Sequence, residues 1–156
     1  MLFGLSIDLF DAIGLFLLLS GFVIGLGAVT VIDLHGFLGR SSAYWTEATT
    51  RTHKVTKPMI WIGLLLTLIG GCIFYRAETT SLIPLVHLAS AVVLMVNGCF
   101  LTFGVSRFLL ARERAGKQKE LLPDFWQRRI VISFLLSDTL WWGNLALLVV
   151  YLVGAR

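Results

Sequence analysis

Charge is what this sequence lacks most. Only 14% of its 156 residues are charged against 57% hydrophobic, and the mean hydropathy of +0.86 lies far outside the range of soluble domains. A soluble chain of this length could not hide so much apolar surface, which excludes an ordinary water-soluble globule. Residues that carry chemistry are sparse too, with three histidines and two cysteines. Cys72 and Cys99 lie far apart inside apolar runs, so there is neither a CxxC redox motif nor a disulfide framework, and both read as small buried hydrophobes. No HExxH, HxxxH, P-loop, GxGxxG or nucleophile elbow occurs, which leaves soluble-type catalysis without support. The stretch from Met1 to Asp11 has no Lys or Arg, and no small-residue processing site follows the first apolar run, so that run is expected to be retained.

What is present is four apolar runs, at 9–34, 59–75, 82–105 and 130–153. A helix rising ~1.5 Å per residue needs about 20 residues to cross a ~30 Å hydrocarbon core, and the second run reaches that length by borrowing a turn at its start. The runs are too long for barrel strands, and lipid tolerates a backbone only when its polar groups are paired within helices or a closed barrel. The expected fold is all-α: a single domain over 1–156, an integral membrane four-helix up-down bundle with helices at about 9–35, 57–76, 82–115 and 126–153. A short interfacial helix is expected before the second span. There Tyr44, Trp45, Ala48 and Val55 recur near helical spacing, and Glu47 can pair with Arg51 one turn on. Pro58 should bend the chain where it enters the bilayer. Gly116 is the expected terminator of the third helix.

The connection at 35–58 holds Arg40, Arg51, Lys54 and Lys57, and that at 106–129 holds Arg107, Arg112, Arg114, Lys117, Lys119, Arg128 and Arg129. The opposite side has only Arg76 and Arg156, with Asp8, Asp11 and Glu78. The positive-inside rule therefore places the two basic connections in the cytoplasm and both termini outside, in a bacterial-type inner or plasma membrane. The net charge of +4 is an orientation signal rather than a nucleic-acid footprint. The expected partners are the lipid bilayer and, beyond it, further copies of the chain or a larger membrane complex.

Ionisable residues inside a span cost about 2.5 to 3.5 kcal/mol at mid-helix, so each invites a search for its partner. Asp138 is the deepest acid, and Asn97 lies at a similar depth on the third helix, within hydrogen-bonding reach across a bundle. Asp138 reads equally as a proton or cation site, with Asn97 and Asn144 in support, or as a helix clamp. His87 lies a turn and a half into the third helix, on an inward stripe continued by Ser90, Leu94, Asn97, Leu101 and Gly104. Its imidazole suits a haem iron, a quinone headgroup or a proton relay, or else a bond to a neighbouring carbonyl or acid. His87, Asn97 and Asp138 are thus the candidate cofactor-binding residues. Asp33, His35 and His53, with Glu47 nearby, have metal-ligand chemistry, although a local ion-pair cluster with Arg51, Lys54 and Lys57 accounts for Asp33 as well. Gly21 and Gly25 form a GxxxG that reads as close helix packing. Trp61, Trp141 and Trp142 suit the walls of a flat cofactor or the core, and Trp45 and Trp126 suit interfacial belts.

The run Lys54-Val55-Thr56-Lys57-Pro58 leading into the second span, His87 early in the third, and the basic extension with Arg107, Arg112 and Arg114 together resemble a broad group of four-helix bacterial membrane proteins. That group includes the CopD-like copper-resistance domains and the haem-associated four-helix protoporphyrinogen oxidases. The resemblance implies a bundle that handles copper or a tetrapyrrole. Where the oxidases carry a histidine early in the first helix, this chain has Asp8 and Asp11, and where they carry a lysine after the third-helix histidine, it has Ser90. The expected function is a haem- or metal-associated, redox or cofactor-handling membrane module. A non-catalytic subunit of a larger complex and a proton- or cation-coupled transporter are the alternatives.

Overall fold

The computed structural model describes residues 8–78 and 81–154. Every regular element among them is helical: α1 (Leu9–Leu38), α2 (Ala43–Phe74), α3 (Leu82–Arg114) and α4 (Asp124–Gly154). All four are long and apolar enough to cross a membrane. The Asp8 side chain caps α1 by accepting from the Phe10 N–H at 2.8 Å, and Asp11 complements the positive end of the helix in its first turn.

α1 and α2 make the most extensive interface in the bundle. It is built on glycine from both sides. Gly21 faces Gly63 and Thr67, Gly25 faces Gly63, and Gly14 lies against the Phe74 backbone, so the partner number falls as the α1 number rises and the two helices run in opposite directions. A Cβ on Gly63 would come 2.5 Å from the Gly25 nitrogen, and one on Gly70 would come 2.8 Å from the Gly14 carbonyl. Lipid gives helices no hydrophobic reason to associate, so this backbone approach and its dispersion contacts carry the pairing. The GxxxG of α1 is therefore a packing face, completed by Gly63 and Gly70 on α2.

α2 is one helix where an interfacial helix and a separate span were expected, and it passes through Pro58 without interruption. Pro58 removes one N–H from the ladder but does not end it. Before Pro58 the buried face is threonine. Thr46 Oγ1 donates to the Gly39 carbonyl at 2.7 Å, Thr49 Oγ1 to Trp45 O at 2.7 Å and Thr50 Oγ1 to Thr46 O at 3.2 Å, so the hydroxyls are satisfied on nearby backbone.

α3 contains a π-helical turn at Leu101–Val105, closed by the Ser106 N–H on the Leu101 carbonyl. The wider turn shifts the inward face: beyond Asn97 the buried positions become Val105, Ser106 and Leu109, so the expected stripe stops short of Gly104. Gly116, at φ +72°, follows the end of α3 as expected. Arg112 Nη2 then ties down the connection by donating to the carbonyls of Lys117, Glu120 and Leu121 at 3.0 to 3.2 Å. Phe108 and Trp126 stack across it with centroids 4.4 Å apart. The core draws on all four helices around Trp141 and Leu148, with Phe22 edge-on to the indole at 5.8 Å. Both cysteines correct the sequence expectation. Cys72 and Cys99 are exposed on the apolar surface rather than buried.

Candidate functional site

Near the end of the bundle that carries the termini, α2 and α3 diverge. Arg76, just beyond α2, is held by Asp8 at 2.6 Å and by Asp11, and the hydrogen bond it donates to Asp11 raises its already high pKa. Below this bridge lies a cavity of about 490 Å³, within the ~300 to 1,000 Å³ typical of small-molecule sites. All four helices contribute to it: Phe22 from α1, Leu64 and Thr67 from α2, His87 and Ala91 from α3, Trp141 and Asn144 from α4, with Tyr75 and Arg76 at the rim. Cys72, Leu85 and Leu88 also line it and are exposed, so it opens sideways between α2 and α3 onto the apolar surface.

The wall is apolar apart from one cluster. His87 Nε2 lies 3.0 Å from the Asn144 carbonyl. A carbonyl only accepts, so Nε2 carries the proton and the lone pair is on Nδ1, which has no partner. Tyr75 packs on the same ring at 5.5 Å between centroids, and its hydroxyl is buried without a partner. Asn144 spends Nδ2 on the Leu140 carbonyl at 2.6 Å, leaving Oδ1 free. Two acceptors and one hydroxyl therefore stand unsatisfied along one wall, each an energetic debt in an apolar setting.

This arrangement bears on the group that the family resemblance implies. A haem iron takes an imidazole lone pair. On His87 that lone pair is on Nδ1, buried and next to Cβ, while Nε2 is committed to the Asn144 carbonyl. Axial haem ligation does not fit. Nor, among the described residues, do three His, Cys, Asp or Glu side chains converge as a metal ion such as copper would need.

The other candidates fall elsewhere. Asn97 was expected to reach Asp138, but it pairs with Ser133: Nδ2 donates to the Ser133 carbonyl at 3.0 Å and Ser133 Oγ donates back to Oδ1 at 2.6 Å. That is a buried clamp between α3 and α4, away from the cavity. Asp138 has no hydrogen bond to Asn97, and its Oδ1 is buried without a partner. Of the candidate metal ligands, Asp33 and His53 line one small cavity of about 70 Å³, while His35 turns away to Thr52 Oγ1, at 3.1 Å, and the Trp45 ring. The expected ion-pair cluster around Asp33 is absent among the described residues. Arg51 pairs with Glu47 at 2.6 Å, Lys54 with Glu113 at 2.8 Å, and Lys57 Nζ lies 3.5 Å from Ser106 Oγ.

No family model, curated protein or solved structure matches this chain. The functional reading accordingly rests on the cavity and its polar wall. Tyr75 and Cys72 are the lining residues that sequence reading missed. Tyr75 follows the last apolar residue of its run and resembles any belt aromatic, and only the approach of α3 turns it onto His87.

Proposed function

We propose that this chain is a membrane-embedded module that binds a lipid-soluble ring compound in the cavity between α2 and α3, with His87 as its anchoring side chain. The observation that carries this reading is the unpartnered Nδ1 of His87, beside Asn144 Oδ1 and the Tyr75 hydroxyl, on the wall of a cavity open to the apolar surface. A quinone-type headgroup is the best-matched class: its reduced form donates through hydroxyls where this wall accepts, and its apolar tail leaves through the sideways opening. The cofactor-handling role expected from the sequence is kept in this form, with His87 and Asn144 as binding residues and Trp141 as a wall. The supporting frame is an up-down bundle with the basic connections in the cytoplasm, as the Lys and Arg distribution favours. The first turns of α2, with Tyr44 and Trp45, then lie at the cytoplasmic interface, and the cavity lies in the outer half of the bilayer.

The test is titration of the purified protein in detergent with a short-tailed quinol, followed by quenching of tryptophan fluorescence. Saturable quenching is expected, with affinity falling about tenfold in His87→Leu, equivalent to the ~1.4 kcal/mol of one lost hydrogen bond to a buried acceptor. Ala91→Phe, which fills the cavity, should abolish it. Quenching that is absent, or indifferent to both substitutions, overturns the proposal. A Soret band in the protein as purified would replace the quinone class with a haem.

A further inference from the structure

At the basic end of the bundle, away from the cavity just described, arginine and phenylalanine recur together on the outer surface. We propose that the outward face of the seam between α3 and α4, with Arg107 over Phe103 and Arg129 over Phe125, binds an anionic phospholipid of the class that carries two phosphates on one headgroup.

Helix geometry places the two pairs side by side. Phe108 of α3 stacks on Trp126 of α4 with centroids 4.4 Å apart, which marks where the helices meet at this end. They meet again at Asn97 and Ser133 and at His87 and Asn144, so they run in opposite directions. Leu109 and Gln127 turn inward, lining one small cavity with Asp33 of α1. Arg107 is two residues before Leu109 and Arg129 two residues after Gln127, about 200° around each helix, so both arginines lie on the outward side of the same seam. Both are exposed, as are Phe103 and Phe125. Counted from the aromatic stack at ~1.5 Å per residue, the two arginines branch from the backbone within about 3 Å of one depth.

The guanidinium groups are held in place but not neutralised. Arg107 Cζ lies over the Phe103 ring, 5.6 Å from its centroid, and Arg129 Cζ lies 4.0 Å from that of Phe125, both within cation–π range. The acids at this end are engaged elsewhere: Glu47 pairs with Arg51, Glu113 with Lys54 and Glu120 with Arg112, while Asp124 occupies the first turn of α4. Among the described residues neither Arg107 nor Arg129 has a carboxylate within ion-pair distance. Arg112 supplies the contrast. It too lies over a phenylalanine, Phe108 at 5.7 Å, but its Nη2 is spent on the carbonyls of the connection. Arg107 and Arg129 therefore keep their donor forks for an anion, and phosphate oxygens match such a fork bidentately. What lies beside them favours a lipid over a free ion. Val96 of α3 and Ile132 of α4, both exposed, carry apolar surface from the arginines into the span, where acyl chains would lie. Two unneutralised guanidinium groups at one depth suit two phosphates of one headgroup.

The experiment is native mass spectrometry of the full chain, released from detergent micelles with one of three lipids: cardiolipin, which has two phosphates, phosphatidylglycerol, which has one, and zwitterionic phosphatidylcholine. Cardiolipin adducts are expected at the lowest lipid concentration and phosphatidylcholine adducts at the highest. Arg107→Ala and Arg129→Ala should each weaken the cardiolipin adduct about fivefold, the effect of one basic side chain at an anionic lipid surface. Arg128→Ala removes an exposed charge one residue away and should leave the adduct unchanged. Equal binding of cardiolipin and phosphatidylglycerol by the unaltered protein overturns the proposal, whether or not every variant folds. An equal loss in Arg128→Ala, or none in Arg107→Ala and Arg129→Ala, assigns binding to diffuse charge and overturns it too. Displacement of the lipid by inorganic phosphate would mark a free-ion site and overturn the lipid assignment. None of these readouts involves the His87 cavity, so this proposal and the proposed function stand or fall separately.

Discussion

Asn97 shows how a single polar residue is spent in this protein. Its amide exchanges two hydrogen bonds with Ser133, one to the backbone carbonyl and one from the hydroxyl, and both partners are buried. Such bonds between transmembrane helices contribute about 0.6 kcal/mol on average and up to roughly 1.7. Asn97→Ala leaves the Ser133 hydroxyl without its acceptor, so a loss of about 1 to 2 kcal/mol is expected, read as a lower midpoint in SDS-induced unfolding. Ser133→Ala should cost less, because Asn97 keeps its bond to the carbonyl. In a double-mutant cycle the two changes should be non-additive, and strictly additive effects would mean the pair is not formed. The contrast with Asp138 is instructive. Sequence depth suggested that Asn97 and Asp138 bond to one another, yet residues 133 and 138 lie on different faces of α4, about 140° apart at 3.6 residues per turn. Depth can be counted along a sequence, whereas azimuth depends on which neighbour each face meets.

At the scale of helices, glycine decides which surfaces meet. Gly63 and Gly27 are both mid-helix glycines, but a Cβ on Gly63 would enter the α1 backbone, whereas one on Gly27 meets nothing within 4 Å. Gly63→Ala should therefore force α1 and α2 apart and lower the unfolding midpoint. Gly27→Ala should be neutral or raise it by up to the ~1 kcal/mol that separates the two residues in helix propensity. Equal effects would show that the α1 and α2 interface is not glycine-built. The four helices were legible because length and hydropathy are local properties, and the α1 glycine face was legible because GxxxG is local too. Three features were not. α2 continues unbroken from Ala43, because a proline costs only one bond of a helix already propagating on both sides. The π-turn at Leu101–Val105 leaves no residue signature, although it redirects every side chain after it. The cavity forms because α2 and α3 separate, and no spacing within either helix encodes a gap between them. His87 points into the bundle, and its bond to the Asn144 carbonyl, which selects the tautomer, depended on how α4 packs.

Across the whole molecule the polar chemistry is divided between the two ends. The termini end carries Asp8, Asp11 and Glu78 around Arg76, and the other end gathers the long basic connections, with Arg112 closing one of them. This asymmetry yields a topology that labelling can check. In a Cys72→Ser, Cys99→Ser background, a cysteine at Ala77, exposed between α2 and α3, should react with a membrane-impermeant maleimide in intact right-side-out spheroplasts. A cysteine at Ala115, exposed beyond α3, should react only after the membrane is permeabilised. The reverse pattern would invert the orientation, and labelling of both without permeabilisation would break the four-span arrangement. Orientation also fixes what each site can exchange with. With Ala77 outside, the His87 cavity opens into the outer half of the bilayer, where a lipid-soluble ring compound would enter. Leu18, Phe22, Leu94 and Trp141 line that cavity and belong to the buried core behind it. These side chains close the inner end of the His87 cavity, so a ring compound bound there is expected to exchange with the outer half of the bilayer alone.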